Sequence, residues 1–213
     1  MQPKQHWENL YTNKPADSVS WYQRHAENSL RLIIRTDVPK SASIIDVGGG
    51  ASTLVDDLLD MGYTALTVLD LSGSALLCSK RRLAGRANLV HWMEANVTDA
   101  PLGLHQYDIW HDRAVFHFLN REEERHAYVA AVMRAVKPGG HVIVSTFAED
   151  GPLQCSGLPV TRYSAEALHG AFGNHFTLVQ HTKEDHLTPT GNVQKFIYCY
   201  CKKAISFPIP KRP

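Results

Sequence analysis

Apolar positions along the chain come in two arrangements: short continuous runs, and longer stretches where they recur every three or four residues. Residues 43–47 are the first run and read as a buried strand. Leu54, Val55, Leu58 and Leu59 follow at helical spacing, and Gly62 supplies a C-terminal cap. Residues 64–70 predict a second buried strand, 73–83 a second helix and 88–93 a third strand. A fourth strand and its C-terminal loop occupy 107–114. Residues 121–136 predict a helix whose first turn holds Glu122, Glu123 and Glu124, favourable at the positive end of the helix dipole. Lys137-Pro-Gly-Gly140 predicts a hard stop and a turn before a fifth strand at 141–147. A longer loop fills 148–163, and Ser164 caps a short helix reaching Ala171. Residues 175–183 and 193–202 alternate like two strands joined by a turn containing Pro189 and Gly191. The βαβαβ alternation predicts an α/β fold, a parallel sheet with helices on both faces.

The segment before the first strand, 1–40, carries Trp7, Tyr11, Trp21 and Tyr22, an aromatic density that disordered tails lack. It is expected to form a helical cap over the open end of the sheet. Residues 41–203 form the main domain, and the Pro-rich 204–213 an extended tail. The 213 residues include 44% hydrophobic and 20% charged side chains, and the formal net charge is +1. That balance offers no electrostatic footprint for nucleic acid. No stretch approaches the roughly 18 uninterrupted apolar residues of a membrane span. Cys78, Cys155, Cys199 and Cys201 form no Cys-x-x-Cys pair, so free thiols in a reducing cytoplasm are expected, without a structural metal site.

The candidate chemistry starts at Asp46-Val-Gly-Gly-Gly-Ala-Ser-Thr53, where a buried strand runs into a tight turn and a helix N-terminus. Glycines there let a ligand approach the backbone. Ligands of open parallel sheets bind outside the carboxyl ends of the strands. The second strand also ends in an acid, Asp70, placed to accept hydrogen bonds from both hydroxyls of a ribose. A nicotinamide dinucleotide fits poorly: the third glycine of its fingerprint is missing, and Asp46 would repel a pyrophosphate. A cationic ligand without phosphate, such as S-adenosylmethionine, fits better.

With these residues the chain resembles the class I S-adenosylmethionine-dependent methyltransferases, over about residues 40–203. Asp46-Val-Gly-Gly-Gly50 resembles the family's first motif, and Asp70 its ribose-binding acid. Asn96-Val97 resembles the adenine-flanking pair, with Asn where Asp is commoner. Tyr107-Asp-Ile-Trp-His-Asp-Arg113 resembles the fourth-strand motif, and Lys137-Pro-Gly-Gly140 the turn before the fifth strand. Trp7-x-x-x-Tyr11 and Ser20-Trp-Tyr-Gln23 resemble the N-terminal cap of a subgroup of small methyltransferases. The resemblance implies a three-layer Rossmann-like sandwich with a mostly parallel seven-stranded sheet and an antiparallel last strand. It implies S-adenosyl-L-methionine as cofactor, S-adenosyl-L-homocysteine as product, and a cofactor site at Asp46, Gly48, Gly50, Asp70, Leu71, Asn96 and Val97.

Methyl transfer needs alignment, a free lone pair on the acceptor and in some enzymes a base. His111, Arg113 and His117 follow the fourth strand and are the candidate reaction residues. His117 is either a base or a packed loop support. Arg113 either holds a substrate carboxylate or ties down Asp112. Trp21, Tyr22, Cys155, Arg162 and Tyr163 are the candidate substrate contacts, with Cys155 either a soft contact or a small buried residue. The expected activity is methylation of a small-molecule acceptor through N, O, S or a metalloid. A protein lysine methyltransferase and a non-catalytic cofactor-binding module are the alternatives. No nucleic-acid or membrane partner is expected, and the sequence leaves the oligomeric state open.

Overall fold

The computed structural model describes residues 3–205. Its strands are β1 (Ser43–Val47), β2 (Ala65–Asp70), β3 (Val90–Glu94), β4 (Tyr107–Arg113), β5 (Val136–Phe147), the short β6 (Gln154–Cys155) and β7 (Leu158–Pro159), β8 (Phe176–Leu187) and β9 (Val193–Lys203). Its helices are α1 (Pro3–Asn13), α2 (Glu27–Arg35), α3 (Leu54–Asp60), α4 (Gly73–Leu83), α5 (Glu122–Ala135) and α6 (Ala165–Phe172). Seven strands form one sheet in the order β3-β2-β1-β4-β5-β9-β8. The pairs β1–β2, β1–β4, β2–β3 and β4–β5 are parallel, and β9 is antiparallel to both β5 and β8.

Neighbouring residues of each central strand point to opposite faces, so one apolar run feeds two cores. Ile44, Leu66, Val68 and Ile109 pack with Leu32 and Ile33 of α2, Leu54 and Leu58 of α3 and Leu76 of α4. Ile45, Val47 and Trp110 pack on the other face with Tyr128 and Val132 of α5 and Leu168 and Phe172 of α6. Each such side chain contributes roughly 1.5–3 kcal/mol on burial. The result is the expected three-layer arrangement, with the strand order reversing beside β1.

Three sequence expectations change in detail. Lys137-Pro-Gly-Gly140 is not a turn ahead of the strand. α5 ends at Ala135 and β5 begins at Val136, pairing with Tyr107 before the register shifts and resumes at Ile109 and His141. Gly139 takes φ +75, and a Cβ on Gly140 would lie 2.9 Å from the Lys137 carbonyl oxygen, so both glycines serve this irregularity. The 148–163 loop contains a β6–β7 hairpin, turned at Ser156 (φ 51) and Gly157 (φ 75). β8 continues four residues beyond Lys183 because its alternation of exposed and half-buried positions persists to Leu187. The proposed tail lies outside the described residues after Ile205.

Candidate functional site

The chain turns sharply after β1. Gly48 has φ +71, and its N–H donates to the Leu69 carbonyl at 2.7 Å. A Cβ on Gly48 would lie 2.0 Å from Val115 Cγ2; on Gly49, 2.2 Å from Asp46 Oδ2; on Gly50, 2.5 Å from both Ala75 Cβ and Asp70 Oδ2. Each glycine therefore admits a different neighbour, two of them carboxylates.

Those carboxylates are held differently. Asp46 Oδ1 lies 2.7 Å from His111 Nδ1, while its Oδ2 is buried without a hydrogen-bond partner. His111 Nε2 lies 2.8 Å from Ser29 Oγ on α2, so both ring nitrogens are occupied. Asp70 accepts the Gly50 N–H at 3.0 Å through Oδ2 and the Ser72 N–H at 2.8 Å through Oδ1. Burial lifts the Asp70 carboxyl to about 6, against the lowering effect of these two N–H groups.

Two neighbouring spaces border the turn. A cleft of about 200 Å³ reaches Asp70, Leu71, Asn96 and Val97 on the β2–β3 side. On the β4–β5 side it reaches Trp7, Trp21, Phe118 and Cys155. A smaller chamber of about 50 Å³ lies against Asp46, Gly49, His111, Tyr22 and Thr53. Gly48, Tyr11, Trp21 and Arg113 border both.

The aromatic wall is built edge to face. The Trp7 ring lies 5.7 Å from Trp21 and 5.2 Å from Phe118, and Trp21 Nε1 donates to the Tyr11 hydroxyl at 3.2 Å. Such contacts fix ring positions as well as burying area. Glu8 on α1 accepts the N–H groups of Gly73 (2.7 Å) and Ser74 (3.2 Å), so α1 is docked on the N-terminus of α4. His6 Nε2 lies 3.1 Å from Ser156 Oγ at the hairpin tip. Sequence reasoning picked out the aromatic residues of α1 and missed Glu8. The available signal was that Trp7 and Tyr11, four apart, share one helix face, leaving Glu8 beside it.

Arg113 is tied in place. Its Nε donates to the Tyr198 hydroxyl at 2.9 Å and one terminal nitrogen to the Trp21 carbonyl at 3.0 Å. The other terminal nitrogen has no hydrogen bond and lies 3.5 Å from Glu184 Oε2. The guanidinium sits 4.3 Å from the Phe196 ring centroid. Burial alone would raise the Glu184 carboxyl, but Arg113, Tyr198 and Gln23 hold it below the usual range. Arg113 does not tie down Asp112. That acid accepts from Val115 N (2.8 Å), Phe116 N (3.1 Å) and the Tyr128 hydroxyl (2.6 Å), and turns the chain after β4. Ala114 in this bend takes φ +74, an uncommon value for a residue with a Cβ.

His117 is fully buried and lines neither space. Its Nδ1 accepts the Phe147 N–H at 3.3 Å, and its ring lies edge-on to Phe118 at 4.5 Å. Burial, aided by Arg113, lowers its pKa to about 3. The surroundings match the packed alternative rather than the base. Arg162 is exposed and donates to the Gly151 carbonyl at 3.1 Å; Tyr163 is buried against Phe116, 5.6 Å between centroids. Neither borders the cleft or the chamber. Tyr22 borders only the chamber of these two spaces, and Cys155 only the cleft. Cys155 is buried, which pushes its thiol up to about 12. No helix of the described residues is long and apolar enough to cross a membrane, and all four cysteines are unpaired.

Residues 45–144 match the family described as "Methyltransferase domain". Two zebrafish (Danio rerio) proteins are similar to the chain. The eEF1A lysine and N-terminal methyltransferase is 23% identical over 148 residues, 68% of this chain and 21% of that protein. The EEF1A lysine methyltransferase 2 is 25% identical over 161 residues, 67% of each. The chain thus spans about a fifth of the first relative and about two thirds of the second. Among solved structures, one describing conversion of a disulfide bond into a thioacetal group during echinomycin biosynthesis has TM-score 0.76 at 17% identity, covering 96% of this chain and 94% of that one. The Burkholderia thailandensis 1,6-didemethyltoxoflavin-N1-methyltransferase, with bound 1,6-didemethyltoxoflavin and S-adenosylhomocysteine, has TM-score 0.66 at 19% identity, covering 94% and 84%. The N-methyltransferase NodS from Bradyrhizobium japonicum WM9, bound to S-adenosyl-L-homocysteine, has TM-score 0.65 at 14% identity, covering 83% and 84%. At these identities the structural likeness concerns the fold.

Proposed function

The chain is a class I, Rossmann-like S-adenosylmethionine-dependent methyltransferase, and from that premise we propose that it methylates a small-molecule acceptor in the aromatic half of the cleft. The residues present fit the cofactor. Asp46 Oδ2 is buried, unpartnered and beside the space that only a glycine leaves at position 49, which suits the cofactor's ammonium. Asp70 retains lone pairs for the ribose hydroxyls, and Leu71, Asn96 and Val97 border the cleft where adenine would lie. Gly48 and Gly50 keep the backbone clear for its approach. The cofactor supplies an electrophilic methyl group on a sulfonium.

The remaining work falls to this chain's own side chains. Residues 1–40 act as a cap: Trp7, Tyr11 and Trp21 exclude water, which strengthens the electrostatics around the reacting atoms. Arg113 anchors the Trp21 carbonyl and so sets the position of the wall. His111 orients Asp46 from the chamber side. Trp21, Tyr22 and Cys155 are the acceptor contacts retained in this proposal; Arg162 and Tyr163 are left to loop and core packing.

The observation that carries the small-molecule reading is the docking of α1 along the cleft, where it supplies Trp7 and Tyr11 to the wall. Glu8 docks that helix on α4, and His6 meets the hairpin that bears Cys155. A protein lysine methyltransferase is the second reading, favoured by the names of the two zebrafish relatives. The unpaired thiols support a reducing, cytoplasmic setting. The test is calorimetry with S-adenosylmethionine, then transfer of labelled methyl groups to a cell extract separated into small-molecule and protein fractions. Label in the small-molecule fraction is the expected result. Label confined to protein would replace the proposal with the second reading, and binding without transfer would favour a non-catalytic module.

A further inference from the structure

We infer that Ser29 is a positioning residue for the cofactor: it acts through His111 to aim Asp46 at the ammonium of the cofactor's amino-acid end. The inference rests on the reading of the space beside Gly49 as the place of that ammonium. Ser29 lies in the first turn of α2 and is fully buried. The other buried side chains of that helix, Leu32 and Ile33, lie three and four residues on and share its face. A helical serine can turn its hydroxyl back onto the preceding turn. This one reaches across to the sheet instead, with Oγ 2.8 Å from His111 Nε2. Three elements thus contribute to one chain of contacts: α2 through Ser29, β4 through His111 and β1 through Asp46.

The placement of protons along the chain follows from its two ends. An ionised carboxylate only accepts hydrogen bonds, so Asp46 Oδ1, 2.7 Å from Nδ1, requires a proton on that nitrogen. A neutral imidazole protonated there leaves Nε2 as an acceptor, and the partner of one nitrogen sets the state of the other. The Ser29 hydroxyl is the donor that meets Nε2. Tyr198 is the competing acceptor for its proton, since the Tyr198 hydroxyl also faces Ser29. That hydroxyl already donates to Glu184 at 2.8 Å and accepts from Arg113 at 2.9 Å, whereas Nε2 of a neutral ring would be orphaned without Ser29. The charges favour the neutral ring once the cofactor is bound. The His111 and Asp46 side chains are only 3% and 6% exposed. The ammonium balances Asp46, and Arg113 has Glu184 at 3.5 Å. A protonated His111 would be a further cation without a counter-charge in a buried site, which is costly. Held through Oδ1, Asp46 keeps Oδ2 directed at the space beside Gly49. Without Ser29 the ring can carry its proton on Nε2, and the Nδ1 lone pair then repels the carboxylate from that orientation. The adenosine end is untouched, because Asp70, Asn96 and Val97 border the cleft on the β2–β3 side.

The test uses the full chain and its Ser29→Ala variant with two ligands. One is S-adenosylhomocysteine; the other is 5′-methylthioadenosine, which keeps the adenosine and the thioether but has no amino-acid end. Calorimetry is expected to show S-adenosylhomocysteine bound roughly fivefold more weakly by the variant, about one neutral hydrogen bond. The variant should bind 5′-methylthioadenosine as the native chain does. A serine that only packs α2 on the sheet would not separate the two ligands. Nitrogen-15 NMR of the native complex with S-adenosylhomocysteine, with His111 assigned through its backbone, gives a second readout that needs no variant. It is expected to show His111 protonated at Nδ1 alone. Both ligands weakened equally, or S-adenosylhomocysteine not weakened, would overturn the inference. So would a His111 protonated at Nε2, alone or together with Nδ1, in that complex. Failure of the native chain to bind S-adenosylhomocysteine would instead remove the cofactor reading on which the inference rests.

Discussion

Asp46 Oδ1 and His111 Nδ1 stand 2.7 Å apart on neighbouring parallel strands, directly opposite in register. The contact holds one carboxylate oxygen and leaves the other free beside Gly49. His111→Ala would leave both oxygens of a buried carboxylate unpartnered. Orphaning such a group costs roughly 1–3 kcal/mol or more. Urea denaturation should show that loss, and calorimetry should show S-adenosylhomocysteine bound about tenfold more weakly. Unchanged affinity would mean that His111 does not orient Asp46 for the cofactor.

Asp70 should make cofactor affinity pH-dependent. Burial raises its folded carboxyl to about 6, above the usual carboxylate range. Because the folded value is raised, the group's contribution to fold stability is greatest below the unfolded value and is lost as pH rises through about 6. Ribose binding has the opposite sign, since hydroxyls donate best to the ionised form. The dissociation constant for S-adenosylhomocysteine should therefore rise as pH falls through about 6. Asp70→Asn should flatten that dependence, and Asp70→Ala should weaken binding roughly tenfold at neutral pH, one hydrogen bond to a charged group. A pH-independent constant in the native protein would refute the ribose assignment.

The glycine turn separates two effects by position. Gly48→Ala meets Val115 Cγ2 at 2.0 Å and a φ of +71, so it should destabilise the fold by roughly 2–4 kcal/mol. Gly50→Ala would press on Asp70 and Ala75 without a left-handed backbone requirement. It should lose cofactor affinity ahead of thermal stability. Calorimetry and thermal melts on both variants test this; equal losses of stability would show that the turn acts as one rigid unit.

The central fold was readable because parallel strands buried on both faces leave continuous apolar runs, as at 43–47 and 65–70, and because their terminal acids mark the ligand end. The glycine turn after β1 and the carboxylates of Asp46 and Asp70 beside it followed from local order alone. What the sequence hid are partners far apart along the chain. Arg113 reads as the holder of a substrate carboxylate or of Asp112 until β8 brings Glu184 to it and β9 brings Tyr198. His117 stays open between base and packed support because only its position after β4 is visible, whereas the Phe147 N–H that occupies its ring comes from the next strand. Lys137-Pro-Gly-Gly140 reads as a turn from its residue types, yet pairing with Tyr107 extends the strand past it.

Glu8 should control cofactor escape. Burial pushes its carboxyl up, but hydrogen bonds from Ser74 and the Gly73 backbone outweigh that and hold it below the usual carboxylate range. A depressed carboxyl contributes stability above its unfolded value and loses it as pH falls through the folded one. The docking of α1 should therefore weaken in acid. Glu8→Ala should speed dissociation of S-adenosylhomocysteine several-fold in stopped-flow fluorescence, with Trp7 and Trp21 as reporters, while a melt shifts little. An unchanged dissociation rate would show that α1 does not gate the cleft.

Tyr128 on α5 links the site's bend to the core. Its hydroxyl donates to Asp112 Oδ2 at 2.6 Å and accepts the Trp110 Nε1–H at 2.9 Å. Tyr128→Phe would orphan the indole N–H and remove one donor from a buried acid. The expected loss is roughly 2–3 kcal/mol, or about 5–10 °C in Tm. Burial already raises Asp112 to about 6, partly offset by the Tyr128 hydroxyl. Without that hydroxyl the folded value climbs further, so the ionised form becomes costlier. The stability lost by the variant should therefore be larger at pH 7 than at pH 5. A loss independent of pH would place the cost on Trp110 and packing, and would remove Asp112 from the network that bends β4 toward the cleft.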